Sequence, residues 1–429
     1  MAGIHLHPHD ITDEGSSTVL KLIAGMKDVH YIFPQVNTIF ERNPYPVGVL
    51  PHNPVRSHVM GEGTLHVKLD GPQAGEKLHR LYWQVDSSIT EGADPLLDLI
   101  KEAEGTGYEI IPWVNVLNGK FHDPKARNGV VDFEQRPVEH WLCPNGPDVV
   151  SMWTYYISQI ADRYGRRQFM IDRIRFPDWA GKQVSPRNLF SCFCPNCTNG
   201  MVRNGIDLGQ LKLTMSTAAK LLSTGQYAQA VQQLKASADF QSFIAYRQAS
   251  VSEMVEKLVH SIRQINPSIE LWLDLWPPSY AWLLGQDYSR LTKSASRLKH
   301  FPYHKLGGGA DVQGLIHYFA DTEEEREEAF QAFLDFFGMD YSISYKQFCE
   351  KGFPIEFVKV ENEKVRKLSQ PETVIYSGVQ MWNLHPEEFM EAVQAARSSE
   401  ADDLLYYCYG WADLSLLEAA GKIAEQQED

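Results

Sequence analysis

The sequence lacks several features that mark whole classes of protein. None of its 429 residues lie in an uninterrupted apolar run of 18 or more, which excludes a transmembrane helix. It contains no internal repeat and no low-complexity tract, so neither a solenoid nor a disordered chain is expected. A hydrophobic fraction of 43% and a charged fraction of 22% instead indicate an ordinary globular protein.

Positive charge is scarce in this chain. Forty Lys and Arg residues stand against 55 Asp and Glu residues, which gives a formal net charge of −15 and no basic patch. Because such a chain repels phosphate backbones, nucleic acid is excluded as a partner. The N-terminus lacks the basic segment and apolar core of a signal peptide, so we expect a cytoplasmic protein, or one whose leader has been removed. Homo-oligomerisation remains open.

Cysteine is also sparse, but three of the six cysteines form one short cluster. The six are too few for a disulfide scaffold, whereas a CxxC knuckle has the spacing of zinc ligands. Four thiolates would close the coordination shell, which predicts a structural zinc with no metal needed for catalysis; reduced cysteines without metal are the alternative. The predicted ligands are Cys192, Cys194, Cys197 and, as the fourth, Cys143. The remaining two, Cys349 and Cys408, are expected to be buried apolar residues.

Strand and helix patterns alternate along the whole chain. Near-continuous apolar strands followed by amphipathic helices predict a parallel sheet buried on both faces. Eight such strands predict a single (β/α)8 TIM barrel over residues 1–429. The predicted strands are residues 4–7, 30–35, 108–115, 168–174, 270–276, 297–304, 374–382 and 404–410.

Two segments are too long to be ordinary connections. Residues 43–90, after strand two, are rich in proline and glycine and predict a β-containing insertion. Residues 178–248, after strand four, carry the cysteine cluster and two helical patterns, and they predict a second insertion. The acidic run 323–328 is interpreted as a solvated first helical turn.

The chemistry of such a barrel lies at the carboxyl ends of its strands, and here those ends are polar and aromatic. Aromatic rings, carboxylates and amides together suit a sugar, although barrel mouths are often polar whatever the ligand. We therefore expect a carbohydrate substrate. The candidate substrate-binding residues are His7, Asn37, Arg42, Asn115, Asp172, Arg175, Asp274, His304, Gln380 and Trp382.

Asp10 and His122 are the predicted catalytic residues. Each follows a strand end and lies beside a proline that stiffens the backbone. A carboxylate that orients an imidazole can tune proton transfer, so the pair suits acid–base catalysis. The alternative is that either residue caps a loop.

Arg175 has two interpretations. Strict strand alternation places Asp172 and Arg175 on opposite faces, if the strand stays regular to its end. Arg175 then binds a substrate carboxylate through both guanidinium edges, or it pairs with Asp172 as part of the structure.

A third class of function follows from the first strand. His5 and His7 alternate onto one face, as in the HxH motif of metal-dependent amidohydrolase barrels. The further ligands that such a site needs are incomplete here, with Asp274, His304 and Asp413 as the candidates. Metal-dependent amidohydrolase and non-catalytic sugar-binding barrel therefore stand as alternatives to glycoside hydrolase.

The order of these elements resembles glycoside-hydrolase-like barrels. Similar cysteine knuckles bind zinc in some barrel β-galactosidases, but the catalytic glutamates of those enzymes correspond here to Asp172 and Gln380, so their mechanism does not transfer. The matching stretches, which cover about the first half of the chain, are residues 3–10, 122–124, 142–149, 172–177 and 192–197.

Within that group the chain most resembles the inverting exo-sialidases, which use an Asp after strand one and a His after strand three. The resemblance implies that Asp10 and His122 act on a terminal sialic acid or a related acidic sugar. It implies a base that activates water on the face opposite the leaving group, with Asp10 either polarising His122 or protonating the leaving oxygen. A cation would hold the sugar carboxylate, and the candidates are Arg42, Arg127 and Arg175.

Overall fold

The computed structural model describes residues 1–40, 48–69, 83–121, 127–179, 186–307 and 312–425. Nine strand segments form one parallel sheet, and a separate antiparallel pair lies outside it. The segments of the parallel sheet are β1 (Ala2–Leu6), β2 (Val29–Pro34), β3 (Glu109–Ile110), β4 (Trp113–Asn115), β7 (Gln168–Asp172), β8 (Glu270–Leu275), β9 (Arg297–His300), β10 (Val374–Gln380) and β11 (Asp403–Tyr407). The antiparallel pair is β5 (Gly129–Val131) and β6 (Pro137–Leu142).

The parallel sheet closes into a barrel through its third strand. Segments β3 and β4 are two halves of that strand, interrupted at Pro112, which has no amide hydrogen for the ladder. The first half pairs with β2 and the second half with β7, while a bridge from Gln35 to Trp113 continues the β2 side. The order is therefore that of eight strands in a ring, which confirms the predicted (β/α)8 TIM barrel.

The barrel interior is filled in layers, as this fold requires. Its lower part is an aromatic and aliphatic cluster contributed by alternate residues of neighbouring strands. The buried members of that cluster are Phe33, Ile111, Trp113, Met170, Trp272, Tyr376 and Leu405. Towards the carboxyl ends of the strands the interior side chains become polar, and this change marks the mouth of the barrel.

Helices surround the barrel, and the predicted helical patterns are confirmed at the barrel's outer ring. The acidic run after Thr322 begins a helix with a capping box between Thr322 and Glu325, also as expected. The helices are α1 (Pro8–Glu14), α2 (Ser16–Ala24), α3 (Ser87–Thr90), α4 (Pro95–Glu102), α5 (Val149–Tyr164), α6 (Pro186–Leu189), α7 (Pro195–Arg203), α8 (Leu208–Ser223), α9 (Tyr227–Ala236), α10 (Ala238–Ile265), α11 (Pro278–Ala281), α12 (Tyr288–Leu291), α13 (Val312–Phe319), α14 (Glu323–Phe337), α15 (Tyr345–Lys351), α16 (Glu356–Leu368), α17 (Pro386–Arg397) and α18 (Leu414–Glu425).

Long excursions leave the carboxyl ends of several strands. After β2, the described residues are joined by isolated bridges such as Leu65 to Val85. Helices α6 to α9 follow β7, where a helical insertion was expected. The β5–β6 hairpin and helices α13, α15 and α16 were not predicted, because strand–helix alternation predicts only one helix for each barrel connection. Within the described ranges, no helix is both long and apolar enough to cross a bilayer.

Gly119 lets the excursion after β2 pack against the loop after β4. A methyl group at Gly119 would overlap the six-membered ring of Trp83, which is buried and packs on Trp153 at a centroid distance of 5.5 Å. We therefore expect Gly119→Ala to lower the free energy of unfolding by about 2 kcal/mol or more, as overpacking does. Urea unfolding followed by tryptophan fluorescence measures the change. Gly129→Ala is the matched control, because a methyl group there meets no atom within 4 Å; equal stability of the two variants would contradict the expectation.

Candidate functional site

A cavity of about 310 Å³ opens beside the carboxyl ends of β1 and β2. Its walls come from the chain after β1, the end of β2, the excursion after β2 and the turn after β11. The larger side chains on these walls include His7, His9, Gln35, Arg56, His66 and Trp411. Ligand pockets begin at roughly 300 Å³, so this volume is that of a small-molecule site.

Two histidines and a tryptophan form a stack along one wall of the cavity. The His7 ring lies 5.2 Å from the Trp411 ring at an interplanar angle of 24°, and 5.3 Å from the His9 ring at 8°. His7 Nδ1 also lies 3.6 Å from Cys408 Sγ. Cys408 is buried, as predicted, but it has a polar neighbour that the sequence analysis did not foresee; Cys349 is only partly buried.

Asp10 lies behind this wall rather than in it. It is the third residue of α1, and its Oδ2 accepts a hydrogen bond from the backbone N–H of His7 at 2.7 Å. Its carboxyl group is fully buried and packs so tightly on Gly410 that a methyl group there would overlap Oδ1. Burial, opposed by the His7 hydrogen bond, raises the pKa of Asp10 to about 8. The carboxyl group therefore keeps its proton at neutral pH and does not reach the cavity.

The imidazoles of the cavity are neutral at physiological pH. Burial lowers the pKa of His9 to about 3 and that of His66 to about 4, and it lowers the pKa of His7 as well. Both amide atoms of Gln35 are buried without a hydrogen-bond partner among the described residues. These four side chains therefore offer uncharged donors and acceptors, which suit hydroxyl groups, and the same wall also contains the charged residues Arg56, Glu62 and Asp86.

A second polar group lies on the barrel axis. Lys299 Nζ is 3.0 Å from Asp274 Oδ2, and His5 Nε2 is 3.9 Å from the same oxygen. All three side chains are buried, and Lys299 also lies over the ring of Tyr407 at 5.1 Å. Burial raises the pKa of Asp274, and the neighbouring Lys299 ammonium opposes that rise. This predicted substrate-binding carboxylate is thus engaged by a neighbouring cation.

Arg175 and Asp172 are brought together, and the expected strand alternation is wrong here. Strand β7 ends at Asp172, and Arg173 adopts a left-handed backbone conformation with φ of 54°, which turns Arg175 back towards Asp172. Arg175 donates to Asp172 at 3.4 Å and to Asp178 at 2.8 Å, and its guanidinium lies 5.0 Å from the Trp276 ring. The geometry is that of the structural pairing, the second of the two interpretations.

Three further predicted binding residues are engaged by neighbouring groups at the mouth. Asn37 donates to the carbonyl of Asn115 at 2.8 Å and accepts its N–H at 2.9 Å, so this pair ties the ends of strands two and three together. Gln380 accepts from the Lys305 N–H at 3.0 Å and donates to the Trp382 carbonyl at 3.0 Å. Each of these amide side chains therefore already makes some of its possible hydrogen bonds to other groups of the protein.

Some of the other predicted residues lie at the mouth, and others lie outside the described residues. Trp382 is buried and packs on Trp411 with ring centroids 5.7 Å apart. His304 is buried after β9, and burial lowers its pKa to about 4. Arg42 and His122 lie outside the described residues. Of the carboxylate-binding candidates, Arg127 is exposed.

The four predicted zinc ligands converge. All four thiols are buried, and their sulfur atoms lie within 4.8 Å of one another, with Cys143 Sγ 3.3 Å from Cys197 Sγ and 3.8 Å from Cys194 Sγ. Zn–S bonds of about 2.3 Å in a tetrahedron require sulfur atoms about 3.8 Å apart. The residues therefore fit a tetrahedral zinc. The fourth member of the cluster is Cys192.

Groups around the cluster suit thiolates as well. Cys192 Sγ accepts the Val131 N–H at 3.4 Å, and Cys197 Sγ accepts an amide hydrogen of Asn145 at 3.3 Å. The guanidinium of Arg247 is fully buried nearby, and burial lowers its pKa to about 9 while the Cys192 and Cys197 sulfurs raise it. A buried cation and N–H donors would offset the negative charge of four thiolates on one zinc.

The histidine pair of the amidohydrolase alternative does not form such a group. In the part of the chain that the structure describes, no set of three ligand atoms within metal-binding distance contains both His5 and His7, while His7 lies in such a set with His9 and Asp10. His5 instead faces Asp274 and packs against Trp113 at a centroid distance of 4.4 Å.

No protein-family model matches the sequence, and no curated protein matches it. Solved structures do share the fold. The catalytic domain of β-amylase from Paenibacillus polymyxa superposes with a TM-score of 0.53 and 10% identity, covering 98% of this chain and 94% of that one. The β-galactosidase from the psychrophilic Marinomonas ef1 gives 0.53 and 9% (100% and 59% of the chains), and that from Halorubrum lacusprofundi gives 0.50 and 10% (98% and 57%). At such identities the similarity establishes the barrel fold.

Five of the cavity side chains named above were not predicted as site residues. Gln35 and Trp411 stand at strand ends and His9 belongs to the first polar motif, so their positions carried a signal for the site. Arg56 and His66 carried none, because they lie in the excursion after β2, whose path over the mouth the sequence does not specify. The five residues are His9, Gln35, Arg56, His66 and Trp411.

We expect chelator-washed protein to contain about one zinc per chain, because four converging thiolates form a closed site. Cys194→Ser should lose the zinc and lower the thermal unfolding midpoint, since the metal joins segments before and after strand four. Elemental analysis and a thermal scan measure both effects. Cys349→Ser is the control outside the cluster. Absence of zinc from the unmodified protein, or unchanged stability of Cys194→Ser, would contradict the expectation.

Proposed function

We propose that this protein is a glycoside hydrolase. The observation that carries the proposal is the 310 Å³ cavity at the mouth of the barrel. Its wall combines the flat indole of Trp411 with uncharged hydrogen-bonding groups from His9 and Gln35. Aromatic faces bind the apolar faces of sugars, and neutral donors and acceptors bind their hydroxyl groups. Three solved glycosidases with the same fold add support at the level of the barrel.

The reaction that we propose is exo-acting and inverting, and the first substrate class is a terminal sialic acid or a related acidic sugar. A cavity close to the lower size limit for ligand sites suits one terminal sugar better than a long chain. In an inverting reaction, water attacks the anomeric carbon from the face opposite the leaving group, with one group acting as acid and another as base. Asp10 and His122 are the proposed pair, with Asp10 acting through a neighbouring side chain because its own carboxyl group does not line the cavity.

An uncharged terminal sugar is the second candidate, because of the charges on the cavity wall. Among the described lining residues, the one Lys or Arg is Arg56, and both its Nε and an Nη already contact Asp13, at 2.6 Å and 2.8 Å. Arg175 is similarly engaged by Asp172 and Asp178. A sugar carboxylate would therefore need a cation that is released from its partner or one supplied from outside the described residues, such as Arg42.

The zinc proposed at the cysteine cluster has a structural role. Four protein ligands would leave no coordination position for water or substrate. Residues Cys143 and Cys192 to Cys197 lie before α5 and after β7, so the metal would fix these segments relative to each other. No step of the proposed reaction passes through it.

A panel of aryl glycosides, including an aryl sialoside, tests the proposal. We expect release of the aryl group from one member, with proton NMR showing that the first-formed sugar has the inverted anomeric configuration. Retention of configuration would contradict the inverting mechanism. Tight sugar binding without turnover would favour the binding-module alternative, and loss of turnover on removal of a metal from His5 and His7 would favour the amidohydrolase.

His122→Ala should lower kcat/KM on the active substrate by about 10²-fold or more, the usual contribution of a positioned acid or base. Steady-state kinetics measures the loss, and circular dichroism verifies the fold. His260→Ala is the matched control, because His260 is exposed on α10, away from the cavity walls. Equal activity of the two variants would remove His122 from the mechanism.

A further inference from the structure

Asp10 has no direct route to a ligand in the cavity. Its Oδ2 is held by the His7 N–H, and its Oδ1 is enclosed by Gly410. Any proton that this carboxyl group exchanges with the cavity must therefore pass through a neighbouring side chain. That neighbour needs one polar atom towards Asp10 and another towards the cavity.

His9 meets both requirements. Its Nε2 lies 3.4 Å from Asp10 Oδ1, and neither atom has a hydrogen-bond partner among the residues that the structure describes. The ring also lines the cavity, and its side chain is 12% exposed. Because Nε2 faces Asp10, Nδ1 is the ring nitrogen left for a ligand. At 3.4 Å the two atoms are in contact without a hydrogen bond, and catalytic groups often lie this far apart without substrate and approach each other more closely in the complex.

The stack of rings fixes the orientation of His9. Its ring lies nearly parallel to that of His7, which in turn stacks on Trp411. Pro8, between the two histidines, restrains the backbone at the start of α1. An imidazole held in this way loses little conformational freedom when it transfers a proton.

We propose that His9 is the catalytic acid of the cavity and that Asp10 is the positioning residue that resupplies its proton. The inference rests on the proposed function and deepens it, because it assigns the acid to His9 and leaves the base to another group, for which His122 is the candidate. Asp10 then acts through His9 rather than on the sugar.

Every proton and electron pair of the proposed step has a destination. The glycosidic oxygen takes the electron pair of its bond to the anomeric carbon and the proton from His9 Nδ1. The carboxyl proton of Asp10 moves to His9 Nε2, which leaves a neutral imidazole and an Asp10 carboxylate. Water adds to the anomeric carbon and gives its proton to the base. The base later returns that proton, through solvent, to the His9–Asp10 pair.

Burial gives Asp10 and His9 the charge states that this proton relay needs. Asp10, with its pKa raised to about 8, is protonated at neutral pH, while His9, with its pKa lowered to about 3, is neutral. The acid form of the pair is therefore present below about pH 8 and is lost as the pH rises through that value. The other titratable groups that act on the pair are Asp13, Glu14, His52, Arg56 and His66.

A metal site is the rival interpretation of the same residues. One ligand atom each from His7, His9 and Asp10 lies within 4.8 Å of the other two. The relay is favoured because His9 Nε2 already lies 3.4 Å from Asp10 Oδ1, and because the His7 and His9 rings are nearly parallel. Parallel rings direct their in-plane lone pairs along parallel planes rather than towards one ion.

The first test compares leaving groups on the substrate that the aryl glycoside panel identifies. His9→Gln and Asp10→Asn should each lower kcat by about 10²-fold on an unactivated aryl glycoside. Both variants should stay close to the rate of the unmodified protein on the dinitrophenyl glycoside, whose leaving group needs no proton. His260→Gln is the control. Equal losses on both substrates, or no loss, would overturn the assignment.

A pH profile separates the relay from a structural role of Asp10. With the unactivated substrate, kcat/KM of the unmodified protein should fall as the pH rises past about 8, and Asp10→Asn should remove this limb. A limb that persists in Asp10→Asn would show that another group titrates there and would overturn the role of Asp10.

A third measurement does not depend on turnover. Nitrogen NMR of the His9 ring should show the proton on Nδ1 at pH 7, and Asp10→Asn should change that tautomer. A proton on Nε2, or a metal beyond that of the cysteine cluster that is lost in His9→Gln, would overturn the proposal. If the whole panel is silent, the proposed function fails, and the tautomer alone decides whether the proton-sharing pair exists.

Discussion

The hydrogen-bond ladder that closes the third strand onto both of its neighbours is the constraint on which the rest of the structure depends. Pro112 divides this strand so that one half pairs with β2 and the other with β7. In a closed parallel barrel all strands end at the same face. Closure therefore brings residues far apart in the chain, such as His9 and Trp411, to one cavity wall.

Burial then determines the chemistry of that face. Groups removed from water are either paired with an opposite charge or held in their neutral form, because an isolated buried charge is costly. Asp274 is paired with Lys299, and Asp178 is paired with Arg175. The imidazole of His9 is held in its neutral form. The result is a mouth whose buried histidines and amides are neutral, with paired charges beneath and the charged residues Arg56, Glu62 and Asp86 also on the cavity wall.

The cysteine cluster lies outside the barrel and joins segments next to the same face. Its ligands come from the end of the β5–β6 hairpin and from the segment after β7, so it joins the excursions on either side of strand four. Such a cluster holds long connecting segments in place when they have little of the barrel surface to pack against. The close contact of Gly119 with Trp83 has a comparable effect on the excursion after β2.

The sequence by itself determined the barrel, most of its strands and outer helices, and the four converging cysteines, because periodicity and short spacing are local properties. It also placed Asp10 and Asp172 at strand ends. Only the tertiary structure decided which side chains face a ligand. The left-handed turn at Arg173 returned Arg175 to Asp172, and the packing of Gly410 enclosed Asp10 and left His9 at the cavity. The contact of Asp10 with Gly410 joins residues 400 positions apart, and the turn at Arg173 departs from regular strand geometry, so neither outcome is encoded in a periodic pattern.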